Sequence, residues 1–537
     1  MKHVGVNVAA DPLMTLAYIG VKGGLVLISA DDPQCHTSQT EQDNRYYSFL
    51  AKIPMLEPAT PQEAKDMTKT AYSISEKFEI PVILRSTPRL SHTYGEVELG
   101  EIVRLNRKSY FPRDPDRWVC VGPLALRRHK ILEEKWIKIK EFYEELEFNK
   151  LISSEKSKAG IITVGVAFNY VMYALDKLKL SGKVDILKLC SSNPIPEKTV
   201  LSFLKMNDKV LIVEELDPIV EKLVLVLARK FNLQTKVYGK LDKLLPLVGE
   251  LTPDIVVRAV AKFMNIKYEE PEIKKPKAEV PLRLFSFCAG CPHRATYYSL
   301  KRVLKEIGKS YIVSGDIGCY TIGKFSPFNI LDTCICMGAG IGMAVGFDLA
   351  KASDVVIAVI GDSTFLHAGI PALINAVYNN SKIKILVLDN EITAMTGHQP
   401  HPGVGYTAMG AKARKVKIED IARACGIDFV KIVDPYNINE TQKVLKEAIE
   451  YDGPAVVILR RSCALMSLRR AREAGIKLKK YYIVEDACKQ CLTCIRDFDC
   501  PAIMLNTETK KVYIESILCT GCGVCVDICP FNAIRGE

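Results

Sequence analysis

The last fifty residues hold eight cysteines in two runs, Cys488-x2-Cys491-x2-Cys494-x5-Cys500-Pro501 and Cys519-x2-Cys522-x2-Cys525-x3-Cys529-Pro530. Three closely spaced thiolates wrap one face of a cubane, and the Cys-Pro turn sends a fourth across to its neighbour. This spacing predicts two [4Fe–4S] clusters. Cys488, Cys491, Cys494 and Cys529 are expected to hold one, and Cys519, Cys522, Cys525 and Cys500 the other. The first run places five residues before its last cysteine where three is usual, which loosens the loop without removing a ligand. A pair of zinc sites is the alternative for Cys-x2-Cys, and two complete runs that both close on Cys-Pro weigh against it.

Eighteen cysteines in 537 residues exceed what chance supplies. The N-terminal stretch MKHVGVNVAADPLM lacks the apolar core of a signal peptide, and runs such as Leu223–Ala228 are far too short to span a membrane. A cytoplasmic chain with no membrane association is therefore expected, where ligation rather than disulfide formation is the default for tightly spaced cysteines. Cys35, Cys120, Cys190 and Cys425 stand alone and read as small buried hydrophobes. The net charge of +11 is spread over many Lys-rich stretches. No recognition helix or aromatic-basic interleaving accompanies it, so a nucleic-acid partner is not expected. Docking of a small acidic electron carrier is the better functional use of a basic surface.

The middle of the chain carries a second signal. Val355–Ile360 is a short β-branched run closed by Gly361, Ile370–Tyr378 reads as an apolar helix, and Ile383–Leu388 as a second buried strand. Asp362 follows the first strand and Asn390 the second. Ligands collect at the carboxyl ends of strands in open α/β sheets, and an Asp with an Asn amide oxygen makes a hard oxygen site suited to Mg²⁺ and a diphosphate. The Gly361-Asp362-Ser363 turn, followed at this distance by Asp389-Asn390, resembles the thiamine diphosphate motif. That motif usually reads Gly-Asp-Gly and ends Asn-Asn, so Ser363 and Asp389 depart from it. By the same resemblance Ile392 supplies a backbone carbonyl to the metal. Upstream, CICMGAGIGMAVGFDLA (334–350) is Gly-rich and opens a helix, so the backbone at Gly338 and Gly340 is expected to approach the same cofactor.

Together these features are similar to the 2-oxoacid:ferredoxin oxidoreductases. The phrases MKHVGVNVAADPLMTLAY, DDPQCHTSQTEQDNRYY, CAGCPHR, SGDIGCYTIG, GDSTFLHAGI and MTGHQPHPG resemble the α subunits of the indolepyruvate:ferredoxin branch, from residue 1 to the tail. The resemblance implies oxidation of an arylpyruvate with coenzyme A to an aryl-acetyl-CoA, CO2 and two reduced ferredoxins. It implies thiamine diphosphate, Mg²⁺ and [4Fe–4S] clusters as cofactors, and a separate smaller β subunit as partner. His293, His367 and His398 are the candidates for proton transfer or for holding the substrate carboxylate. The resemblance also suggests a third cluster, on Cys288, Cys291, Cys319 and Cys463. For Cys319 and Cys463, buried unligated thiols are the alternative.

The expected fold class is α/β, with doubly wound domains of the thiamine-diphosphate type and a small α+β two-cluster ferredoxin domain. By this reading residues 1–95 form the later part of a pyrimidine-binding domain, starting at an internal strand. Residues 96–155 form a charged helical linker, 156–268 a transketolase C-terminal-like domain, and 269–281 a Pro/Lys-rich linker. Residues 282–465 form the diphosphate and Mg²⁺ domain, and 480–537 the ferredoxin domain. The family's activating Glu precedes the MKHVG phrase, so the chain is expected to start at an internal Met and to generate little ylid alone. A purely electron-transferring subunit and a non-oxidative thiamine decarboxylase are the rival readings.

Overall fold

A computed structural model describes residues 1–102, 110–154, 157–270 and 285–537. It divides the chain into two units, Met1–Lys275 and Pro276–Glu537. The stretch 269–281, expected as a linker, lies outside the described residues from 271 onward. Among the described residues no helix is long and apolar enough to cross a membrane.

The first unit contains two sheets. The smaller has parallel strands β1 (Val26–Ala30), β2 (Met55–Leu56) and β3 (Val82–Ser86), in the order β1-β3-β2. The N-terminus, expected to start at an internal strand, starts instead with helices. His3–Val8 and Ala10–Ile19 are helices that turn His3, Val6, Leu13 and Ala17 inward. These inward positions recur at helical spacing, and burial of that face outweighs the weak strand preference of isolated valines. Beyond the helix Gly122–Glu144 lies the larger sheet. It comprises β4 (Lys150–Ile152), β5 (Ala159–Val164), β6 (Asp185–Leu189), β7 (Lys209–Val213) and β8 (Lys236–Tyr238), in the order β4-β6-β5-β7-β8. Only β4 runs antiparallel to its neighbour.

Buried charge ties these two sheets together. Arg45, fully buried, donates to Glu214 Oε2 at 2.6 Å, to Asp43 Oδ2 at 2.5 Å, and to the carbonyls of Glu215 and Asp217 at 2.7 Å. Burial alone would raise the Asp43 carboxyl, but the adjacent guanidinium outweighs it and holds the group below its usual range. Arg85 bridges Asp31 at 2.7 Å and Glu57 at 2.8 Å, and Lys188 pairs with Glu63. Breaking a buried pair leaves an uncompensated charge, at a cost of about 3–5 kcal/mol. Arg45→Met is expected to destabilise the first unit by about that amount, read as a lower urea midpoint for its unfolding transition.

The second unit is built on one parallel sheet, β9 (Tyr311–Ser314), β10 (Val355–Gly361), β11 (Lys384–Asp389), β12 (Phe429–Val433) and β13 (Ala455–Arg460), in the order β12-β13-β11-β10-β9. Both faces are covered, which is why these strands read as unbroken apolar runs. Val355, Ile357 and Val359 enter one core with the helix Pro292–Ile307, while Val356, Ala358 and Ile360 enter the other with Ile341 and Leu373. The tail adds two antiparallel ribbons, β14 (Tyr481–Ile483) with β17 (Ile534–Gly536) and β15 (Ile503–Leu505) with β16 (Val512–Ile514). Phe498, Val524 and Ile528 from the tail belong to the same apolar core as Phe287, Tyr298 and Leu300.

Candidate functional site

Two strand ends meet at one cleft. In the parallel register, Gly361 of β10 lies beside Leu388 of β11, so the residues that follow each strand emerge side by side. A cavity of about 100 Å³ opens there, walled by Gly361, Asp362, Ser363, Asn390, Ile392 and His293, and also by Cys319, Tyr320 and Thr393. The oxygen donors picked out by the strand-end argument therefore share one wall.

Asp362 is buried, and its Oδ1 accepts the Ser363 amide at 2.7 Å. Its Oδ2 lies 3.1 Å from His401 Nε2. The Gly403 amide donates to His401 Nδ1 at 3.1 Å, which leaves the ring proton on Nε2, directed at Asp362. Asp389 is also buried, and its carboxyl is raised first by that burial and then by the neighbouring Asp362 carboxylate, against the pull of Arg460. Arg460 reaches Asp389 through Nε at 2.7 Å and grips Glu419 with both terminal nitrogens, at 3.2 and 2.7 Å. Two buried carboxylates repelling one another beside an amide oxygen form a donor set that a hard divalent cation would satisfy.

His293 is buried, and that burial holds its ring down to about 4 although Asp362 pulls the other way, so the imidazole is neutral at pH 7. Asn390 Nδ2 lies 3.3 Å from His293 Nε2, which accepts from the amide. The other two candidate histidines do not line the cleft. His367 sits in a π-helical turn, Phe365–Gly369, and donates through Nδ1 to the Ser363 carbonyl at 2.7 Å. His398 places Nε2 3.9 Å from the Cys463 sulfur.

The Gly-rich turn is organised around a residue that motif reading passed over. Asp316, fully buried, accepts the amides of Gly338 at 2.9 Å, Gly340 at 2.9 Å and Ile317 at 2.7 Å. Burial raises this carboxyl, and the three amides offset part of the cost. Gly338 has φ +94°, and a Cβ there would lie 2.5 Å from that of Ala368, so only glycine suits the turn. The Gly338 and Gly340 amides, expected to face a cofactor, are thus spent on Asp316, and it is Met337 that reaches the cleft wall.

The cysteines fall into three neighbourhoods. Burial, then the neighbouring Cys463 and Cys288 thiols, push Cys319 up to about 11. The Cys463 amide donates to the Asn390 carbonyl at 2.9 Å, placing that cysteine just behind the cleft. Cys291 is pushed up to about 12, chiefly by burial. In the tail, burial raises Cys494 to about 11, with Cys491, Cys488 and Cys529 as its charged neighbours. Cys500, Cys519, Cys522 and Cys525 line a second, smaller cavity, closed on one side by Ala289 and Gly290. Among the described residues, no group of three or more His, Cys, Asp or Glu closes tightly enough for a single metal ion.

Asp316, Tyr320, Thr393 and His401 are the site residues that spacing did not single out. Asp316 and Tyr320 lie in SGDIGCYTIG and His401 in MTGHQPHPG, so the phrases were visible but not the partners.

Two family descriptions match within the second unit. The thiamine pyrophosphate enzyme C-terminal TPP binding domain covers residues 316–459, and a 4Fe-4S binding domain covers 512–535. Over 542 residues the chain is 44% identical to the indolepyruvate oxidoreductase subunit IorA of Archaeoglobus fulgidus, spanning 100% of this chain and 85% of that one. The chain belongs to the IorA family of indolepyruvate oxidoreductase subunits. The family member of Thermococcus kodakarensis is 42% identical over 559 residues, again spanning 100% of this chain and 85% of the relative. A shorter similarity, 30% over 190 residues, is to the 2-oxoglutarate synthase subunit KorB of Archaeoglobus fulgidus, covering 33% of this chain and 69% of that one. The matched TPP-binding region includes the ends of β10 and β11, the Asp316 clamp and the cleft wall apart from His293. Asp316→Asn replaces an acceptor of three amides by a group that also donates. It is expected to cost about 1.5–3 kcal/mol, measured as a lower thermal midpoint of the second unit.

Proposed function

We propose that this chain is the α subunit catalysing oxidative decarboxylation of an arylpyruvate, of the indolepyruvate type, with coenzyme A. The products would be an aryl-acetyl-CoA, CO2 and two reduced ferredoxins, with a separate, smaller β subunit completing a cytoplasmic enzyme. The observation that carries this reading is the cleft itself. The oxygen donors Asp362, Asn390 and Ile392 line it together with the Cys319 thiol, and Cys288 and Cys463 neighbour Cys319. A diphosphate and metal site with thiols at its wall suits a reaction whose electrons must leave one at a time. The relatives' names support the substrate class, as indolepyruvate oxidoreductase subunits.

Bound thiamine diphosphate would supply the electron sink for loss of CO2, and [4Fe–4S] clusters the one-electron acceptors. Asp362, the Asn390 amide oxygen and the Ile392 carbonyl would hold Mg²⁺ and, through it, the diphosphate. The repulsion between Asp362 and Asp389 is what such a cation would relieve. His401 keeps the Asp362 carboxylate aimed through its Nε2 proton, and Ser363, fixed by the Thr393 hydroxyl at 2.8 Å, borders the same wall. His293 presents a neutral ring at the cleft and is the histidine placed to hold or pass a proton there. His367 and His398 would act by shaping the loops around Ser363 and Cys463. Cys288, Cys291, Cys319 and Cys463 would hold a cluster next to the cleft, and the two tail tetrads would hold the clusters that lead electrons outward.

Two measurements test this reading. Anaerobically purified chain with its β subunit should reduce ferredoxin or methyl viologen only when an arylpyruvate and coenzyme A are both present. CO2 release with aldehyde and no dye reduction would instead establish a non-oxidative decarboxylase, and neither activity in cluster-loaded protein a purely electron-transferring subunit. His401→Ala should weaken Mg²⁺-dependent thiamine diphosphate binding by about 10–100-fold in calorimetric titration, the usual cost of losing a residue that orients a metal ligand.

A further inference from the structure

The helix Pro292–Ile307 carries a buried cation between two cysteine loops. Arg294 is fully buried in CAGCPHR, three residues after Cys291. Its Nη1 donates to the Phe498 carbonyl at 2.9 Å and to the Asp499 carbonyl, and its Nη2 to the Phe287 carbonyl. Phe287 and Phe498 flank the guanidinium, with ring centroids 5.7 and 5.8 Å away. Its Nε is buried with no hydrogen-bond partner among the described residues.

The counter-charge is incomplete. The nearest carboxylate, Asp499, keeps Oδ2 3.6 Å from Nη1, and its side chain is 40% exposed. Arg45 in the first unit, by contrast, contacts two buried carboxylates directly. A buried guanidinium held mainly by neutral carbonyls is costly unless an anion lies close by.

Thiolates of a bound cluster on the neighbouring cysteines would supply that anion. Gly290, between Cys288 and Cys291, closes the cavity lined by Cys500, Cys519, Cys522 and Cys525. At φ +69° its missing side chain leaves room for Thr520, which stands between Cys519 and Cys522. Tyr436 seals the contact by donating its hydroxyl to the Gly290 carbonyl. The carbonyls that Arg294 holds belong to Phe498 and Asp499, the two residues before Cys500, and to Phe287, the residue before Cys288. The cavity that the Cys288–Cys291 loop closes is lined by Cys500, Cys519, Cys522 and Cys525, and not by Cys488, Cys491, Cys494 or Cys529.

We infer that Arg294 is the internal counter-cation of the cluster held by Cys500, Cys519, Cys522 and Cys525, and that it raises this cluster's reduction potential above that of its partner in the tail. Four thiolates around a cubane make a net anion even when oxidised, and reduction adds a negative charge. A fixed positive charge in a low-dielectric interior stabilises that added charge, and water screens it little. The cluster beside the Cys288–Cys291 loop then becomes the more readily reduced member of the tail pair, so an electron arriving from the loop side enters there first. This inference rests on the two-cluster reading of the tail.

The test is a dithionite redox titration of the full chain, followed by EPR, on the wild type, Arg294→Lys, Arg294→Gln and Asp499→Asn. Arg294→Gln should shift one of the two tail signals to lower potential, by at least about tenfold in the reduction equilibrium constant, or about 59 mV for one electron. Arg294→Lys should keep most of the wild-type value, and Asp499→Asn should shift the same signal upward. Equal midpoints in cluster-loaded Arg294→Gln and wild type would overturn the inference and leave Arg294 as a strut for three carbonyls. Should the glutamine variant fail to assemble, an unshifted signal in Asp499→Asn overturns it equally. Wild-type protein without the two tail signals would overturn the cluster reading, and this inference with it.

Discussion

Asp362 and Asn390 can act on one ligand because β10 and β11 run parallel in a register that pairs Gly361 with Leu388. Neighbouring strands lie about 4.8 Å apart, so the two residues leaving these strand ends fall within reach of a common ion. The same register brings Asp362 and Asp389 together inside the protein, a repulsion the fold has to manage. Arg460, reached from β13, answers part of it, and His401 gives its Nε2 proton to Asp362. Further out, Asp316 spends its carboxylate on the amides of the turn that opens the helix Ala339–Leu349. The wall of the cleft is thus set by backbone register first and by buried polar contacts second.

The sequence showed some of these features and hid others for a physical reason. Strand ends are local: a β-branched run followed by Gly-Asp or Asp-Asn announces both the strand and the polar group at its tip. Cysteine spacing is local too, since a short loop can wrap only a cluster of matching size. The role of His401 is not local. It depends on a loop returning 39 residues later to meet Asp362, and nothing in MTGHQPHPG distinguishes that histidine from His398. Asp316 was hidden in the opposite way. Its contacts go to backbone amides, which every residue carries, so no partner residue type marked them.

The N-terminal helices show a different failure. Val4, Val6 and Val8 alternate, and the segment was expected to start at an internal strand. The chain folds as helix because Val6, Leu13 and Ala17 line up on a face that can be buried, while only a two-residue bridge, Lys2 to Ala30, retains strand pairing. Alternation over so few residues is weaker evidence than a longer helical period that has a core to enter. The Gly-rich turn makes a related point. A Gly-x-Gly opening a helix suggests free amides for a phosphate, yet a carboxylate from the same chain has taken them.

The junction between the TPP-binding domain and the cluster tail is a shared core rather than a tether. Phe498, Val524 and Ile528 sit among Phe287, Tyr298 and Leu300, and burying each such side chain contributes about 1.5–3 kcal/mol. That packing fixes the Cys288–Cys291 loop against the Cys500 cavity to the precision of a protein interior, which a flexible linker would not do. Electron transfer falls steeply with distance, so under the proposed function apolar area spent on this junction would serve the passage of electrons from the cleft to the tail. The same packing buries Arg294, and burial is the condition under which a fixed charge acts more strongly than one at the surface.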